Sequence, residues 1–84
     1  MDNVFVKRND EWIEIKTMAE LKEGDLFCMT NTDLKDFNED KHEIFEVLEV
    51  FDKDDYVFVE SRMVKKNGKE VSTWRVEHRR RFES

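Results

Sequence analysis

Apolar residues occur along this chain in short runs broken by charge. "NVFVK" at 3–7 is rich in β-branched and aromatic residues and predicts a β-strand. "EWIEIK" at 11–16 alternates Trp12, Glu14 and Lys16 with Ile13 and Ile15, the period of two that a half-buried strand requires. "TMAELKEG" breaks that period. Thr17 and Glu20 have the spacing of a capping box, Met18 and Leu21 fall on one face of a helical turn, and Gly24 is placed to end it. "DLFCM" predicts the next strand. Residues 30–42, "TNTDLKDFNEDKH", are polar. They read as a long loop with room for one helical turn, pinned by its two large apolar side chains, Leu34 and Phe37.

"EIFEVLEVF" at 43–51 fits two periods. Ile44, Val47, Leu48 and Phe51 match a helix, whereas the content of Ile, Val and Phe favours a strand. The neighbouring "DYVFVESRMV" is plainly strand-like, and "DKDD" between them is a tight-turn sequence. A hairpin is therefore expected. A second hairpin is expected in "RMVKKNGKEVSTWRV", because a type I′ turn needs positive φ at two successive residues and Asn67-Gly68 supplies them. Five or six short antiparallel strands with one or two helical turns predict a mainly β fold, a small, partly open SH3-like barrel forming a single domain over 1–84. Its expected core is Val4, Val6, Ile13, Ile15, Leu21, Leu26, Cys28, Phe45, Val47, Val57, Val59, Trp74 and Val76.

Composition changes this picture in two ways. Charged residues make up 43 % of the chain, enough to raise the question of disorder, but seven Phe, two Trp and one Tyr argue for a packed core. The charge is also divided. Residues 1–60 carry 18 acidic and 7 basic side chains, residues 61–84 carry 3 and 8, and the net is −6. Cys28 is the only cysteine and lies in an apolar, acid-flanked stretch, which predicts a buried thiol rather than a reactive one. With no apolar run of membrane-spanning length and no leader-like segment, a cytoplasmic location without a membrane is expected.

From Leu21 to Val76 the succession "LKEGDLF", "IFEVLEV", a tight turn, "YVFVESRMV", an "NG" turn and "EVSTWRV" resembles KOW-type SH3-like barrels, among them the first domain of elongation factor P. The resemblance implies the barrel fold. In that domain a modified lysine sits on a Gly- and Pro-containing loop between the middle strands. The tip here is Asp52-Lys53-Asp54-Asp55, so that role is not carried over to Lys53. The proline-free, charge-dense style also resembles small accessory proteins of bacteriophages.

No nucleophile elbow, phosphate loop or HExxH is present, and Cys28, His42 and His78 lack zinc-ligand spacing. The acid-rich 33–43 stretch lacks the glycine of an EF-hand. The chain is read as non-enzymatic, without cofactor or metal, and as a monomer or dimer. The leading expectation is a protein partner met by an acidic face of Asp33, Asp36, Glu39, Asp40, Asp52, Asp54 and Asp55, with inhibition or modulation of a host enzyme as its concrete form. The alternative is RNA or single-stranded DNA bound by Lys65, Lys66, Lys69, Arg75, Arg79, Arg80 and Arg81, with Trp74 or Phe82 stacking a base. A third use of the basic end is pairing with acidic strands of its own sheet.

Overall fold

The structure, a computed structural model, describes residues 3–53 and 55–81, the last three of these by their backbone only. The described residues form one curled antiparallel sheet. Its strands are β1 (Asn3–Arg8), β2 (Glu11–Ile15), β3 (Leu26–Thr30), β4 (Glu43–Asp52), β5 (Tyr56–Lys66), the two-residue β6 (Lys69–Glu70) and β7 (Val76–Arg81). The order across the sheet is β2-β1-β3-β4-β5, with β6 and β7 following one another along the far side of β5. Mainly β structure and a half-open barrel are thus as expected, and the curl is consistent with an SH3-like barrel. The ambiguous 43–51 segment is strand, paired with β5 from Glu43↔Lys66 to Asp52↔Val57.

The inner face carries the main core. Val4 and Val6 of β1, Ile15 of β2, Phe27 of β3, Phe45 and Val47 of β4, and Val57 and Val59 of β5 are buried together. Met18 and Leu21 close one end, carried by and just after the 3-10 turn Met18–Glu20. That turn has the expected capping box: Thr17 Oγ1 accepts from Ala19 N at 3.3 Å and Glu20 accepts from Thr17 N at 3.1 Å. Gly24 does something other than end it. The turn closes at Leu21, and Gly24, at φ +89°, is the third residue of a separate β-turn in which Asp25 N donates to Lys22 O at 3.0 Å. That turn is stitched to β4 by Gly24 N to Val47 O at 2.9 Å and Val47 N to Asp25 O at 2.8 Å.

The outer face is buried over β1, β3 and the start of β4. Strand alternation turns Phe5 and its partner Cys28 away from the main core, and Ile44 opposes inward-facing Phe45. All three are fully buried. Phe5 is covered by the 31–42 loop, which folds into two 3-10 turns, Leu34–Asp36 and Glu39–Lys41, where one helical turn was expected. Phe37, between them, places its ring edge-on to Phe5 at 5.1 Å and Trp12 at 5.0 Å and stacks on His42 at 5.0 Å. The loop is pinned by Phe37, whereas Leu34 stays 37 % exposed.

Four core expectations are corrected. Ile13 (38 % exposed) and Val76 (36 %) lie on strands at the two open ends of the sheet, and Trp74 (91 %) lies in the irregular 71–75 segment leading into β7. Leu26 is half-buried at the start of β3. Their places are taken by Phe5, Phe27, Ile44 and Met18. The strand expected over "EVSTWRV" is broken: after β6 the chain leaves the ladder, held by Val71 N to Val64 O at 3.0 Å and Met63 N to Thr73 Oγ1 at 2.9 Å, and rejoins β5 at Val76.

Candidate binding surfaces

The acidic positions fall at two places. Asp33, Asp36, Glu39 and Asp40 lie on the loop that covers the outer face. Asp52 and Asp55 lie at the tip of the β4–β5 hairpin, and both are exposed. Asp54 lies outside the described residues, as does Phe82. The ten-residue β4 separates the two groups, about 30 Å of strand at the usual rise. They form two acidic ends rather than one continuous face.

The loop acids also differ among themselves. Asp33 and Asp36 are exposed, and among the described residues neither carboxylate has an ion pair or hydrogen bond; Asp33 stands at the start of its turn without capping it. Glu39 is half-buried and accepts from Lys7 Nζ at 3.4 Å. That ammonium also sits 6.0 Å from the Trp12 ring centroid. Asp40 lies against the Asn67-Gly68 turn, and Asn67 N donates to His42 O at 3.2 Å. Asn3 Nδ2, donating to Thr32 O at 3.1 Å, and this bond hold the loop at its two ends, and Phe37 pins its middle.

The basic positions are interleaved with acid. Lys65 and Lys66 pair across β5 and β4 with Ile44 and Glu43, and Lys69 follows the turn that rests on Asp40. The Arg75 guanidinium donates to Glu60 at 2.6 Å, and Arg62 donates to Glu46 at 3.0 Å. Pairing with the chain's own sheet is therefore realised at Arg75. Arg79, Arg80 and Arg81 stand in register opposite Phe58, Val57 and Tyr56, which sets this arginine run beside the acidic hairpin tip. His78, from the same strand, turns inward, with its ring edge-on to Phe27 at 5.5 Å and Phe45 at 5.0 Å. It is a core aromatic contact.

Two features escaped sequence reasoning. One is the extent of Trp74's exposure: the core assignment buried it, and only the base-stacking alternative used it as a surface residue. The other is the pair Phe51 and Phe58 on the outer side of the β4–β5 hairpin, half-exposed with centroids 5.3 Å apart and Lys53 Nζ 5.9 Å from the Phe51 ring.

The remaining titratable groups describe structure. Burial, then the nearby Glu43 charge, pushes the Cys28 thiol up to about 11, so it is neutral near pH 7. The hydrogen bond from Arg8 to Asp25, 2.8 Å, raises the guanidinium above its ordinary value. The same Asp25 oxygen accepts from Lys22 N at 2.8 Å, and Arg8 also donates to Glu20 O at 2.6 Å. This knot holds the Lys22–Asp25 turn and the Met18–Glu20 turn together. Among the described residues no three His, Cys, Asp or Glu side chains converge as metal ligands, and no helix is long and apolar enough to cross a membrane. Compared with protein-family models, with curated proteins and with solved structures, the chain gives no significant match.

Proposed function

We propose that this chain is a small acidic binding module that docks on a basic surface of a larger protein, in the manner of an inhibitor or modulator of a host enzyme that handles nucleic acid. The observation that carries this reading is the pair of exposed carboxylates on Asp33 and Asp36, unpaired among the described residues and presented by a loop anchored through Phe37. A loop ordered before binding loses little entropy on docking, and unpaired surface acid accelerates encounter with a basic partner. The resemblance to small bacteriophage accessory proteins adds the expectation of a cytoplasmic host target. The test is capture from a bacterial lysate, with and without nuclease, by the wild type and by the Asp33→Asn, Asp36→Asn, Asp40→Asn variant. A protein retained after nuclease and lost with the variant is expected. Equal capture by both forms would remove the loop from the proposal.

The second reading, binding of single-stranded nucleic acid, draws on Trp74. It is 91 % exposed, next to Arg75 and a few residues from the arginine run, and can serve as a stacking surface. Its test is quenching of tryptophan emission by an oligonucleotide across a salt series. This reading expects quenching that weakens steeply with salt and disappears in Trp74→Ala. A flat response removes it. The interleaving of Lys65, Lys66, Lys69 and Arg75 with carboxylates favours the first reading.

A further inference from the structure

β2 ends the sheet, and among the described residues β1 is its only strand partner. Which of its backbone groups stay open follows from the turn that begins it. Asn9 and Asp10, both at positive φ, join Arg8 to Glu11 in a two-residue hairpin. The residues flanking such a turn exchange both hydrogen bonds, and the pairs then alternate along the ladder. Arg8–Glu11, Val6–Ile13 and Val4–Ile15 are the bonded pairs, so Trp12 and Glu14 turn their N–H and C=O groups to the open side. Lys16 N, the next outward donor, donates to Glu20 Oε2 at 2.9 Å, and the open stretch ends there. Four main-chain groups are thus unpaired among the described residues, on a strand that contains no proline.

The side chains say what this edge fits. Ile13 lies opposite inward Val6 and is 38 % exposed, which leaves an apolar position open on the inner face. The Leu34–Asp36 turn packs against β2 from the outer side. Glu11 and Glu14 on β2, and Asp33 and Asp36 at that turn, are exposed, and among the described residues none of the four carboxylates has an ion pair. Against them stand Lys16, just past β2, and Lys35, within the turn. This surplus of acid disfavours a second β2 edge and favours a strand of opposite charge. Resting on the acidic-module reading above, we infer that the partner protein contributes an extended basic segment of about five residues, which adds to β2 as a further strand. Its main chain pairs with Trp12 and Glu14. Its alternate side chains divide between the faces, apolar ones against Ile13 and basic ones on the side of Glu14 and the Leu34–Asp36 turn. The loop acids and the strand edge are then parts of one site.

The probe is an end-blocked heptapeptide of alternating lysine and valine, added up to about 2 mM to the isotope-labelled whole chain at low salt. Heteronuclear NMR follows binding, and amide hydrogen exchange is read residue by residue. The expected result is saturable binding that slows exchange of the Trp12 and Glu14 amides by about tenfold or more, with no binding of a glutamate–valine peptide of the same length. Glu14→Pro removes an outward donor and no bond of the β1–β2 ladder, and is expected to weaken binding about tenfold. Glu11→Lys with Glu14→Lys, at two exposed positions, keeps the edge backbone and is expected to weaken it about as much. Far-UV circular dichroism shows that each variant is folded. Trp12 and Glu14 amides that exchange as in the free chain, equal binding of the acidic peptide, or wild-type binding by folded Glu14→Pro overturns the proposal. Lysate capture separates this inference from the reading beneath it. If Glu14→Pro retains the protein that the Asp33→Asn, Asp36→Asn, Asp40→Asn variant loses, the acidic module stands and the added strand falls. Loss with both variants supports the strand, and retention by both removes module and strand together.

Discussion

Removing the Phe37 ring tests whether one side chain holds the loop over the outer face. The ring is half-buried and meets Phe5, Trp12 and His42 at centroid distances of 5.0–5.1 Å. A Phe side chain buries about 150–250 Å² when fully enclosed, so roughly 100 Å² is in question here, and at about 25 cal/mol per Å² its loss costs about 2.5 kcal/mol. Loss of the edge-to-face contacts adds about 1 kcal/mol. Phe37→Ala is thus expected to destabilise by about 3 kcal/mol, a large share of the roughly 4–13 kcal/mol typical of a chain of 84 residues. Urea unfolding followed by tryptophan emission gives the total. A second readout gives the location: Phe5 lies beneath the loop and Cys28 is its partner across the strands, so in Phe37→Ala the Cys28 thiol becomes accessible to a disulfide reagent while the sheet remains folded. Phe37→Leu keeps much of the volume and loses the ring geometry, and is expected to fall between wild type and Ala. A cost below about 0.5 kcal/mol, together with an unchanged rate of Cys28 modification, would refute the reasoning, since that is the range of surface changes.

Three further predictions rest on local geometry. Gly24→Ala and Gly68→Ala are each expected to cost about 1 kcal/mol by urea titration, since both glycines have positive φ, while an added Cβ meets nothing within 4 Å at Gly24 and only ordinary contact with Asp40, 3.5 Å, at Gly68. The Cys28 thiol, raised to about 11 from an ordinary value near 9, holds its proton in the fold after the unfolded chain has released it; stability is therefore expected to fall between pH 9 and 11 by about 2–3 kcal/mol more in the wild type than in Cys28→Ala, read as the difference between their pH profiles. Asp25→Ala removes the acceptor of both Arg8 and Lys22 N and is expected to cost about 1–2 kcal/mol, whereas Arg75→Ala, at a pair whose arginine is 62 % exposed, is expected to cost under about 1 kcal/mol in the same assay.

Those elements whose cause is local could be read before the structure. The capping box of Thr17 and Glu20, the Asn67-Gly68 turn at φ 51° and 82°, and the strands rich in Val, Ile and Phe each follow from a few adjacent residues. One local signal was overlooked: Asn9-Asp10, at φ 54° and 61°, makes the β1–β2 turn with two residue types that tolerate the left-handed region. What sequence reasoning lost depends on the far side of each strand. Phe5, Cys28 and Ile44 alternate with core residues and would face solvent in a sheet covered on one side. All three are buried, and over Phe5 the cover is a loop some thirty residues away in the chain, which alternation alone does not reveal. Trp74 and Val76 fail for the opposite reason: they belong to a strand pattern but sit where the sheet ends. The acidic and basic candidates were legible as charge. Their division into two acidic ends, and the capture of Arg75 by Glu60, follow from the ten-residue β4 and the pairing of β5 with β7.

The order of strands has a kinetic consequence. β1–β2, β3–β4, β4–β5 and β5–β6 are neighbours both in the chain and in the sheet, and the two exceptions, β1–β3 and β5–β7, close loops of modest length. Hairpins form in about 1–10 µs, and each can template the next strand, so the search for partners is mostly short-range for an all-β topology. With no proline anywhere in the chain, the slow isomerisation that delays refolding of many small domains has no residue to act through. Refolding from urea should proceed in one fast phase from every unfolded molecule, however long the chain has been held in denaturant.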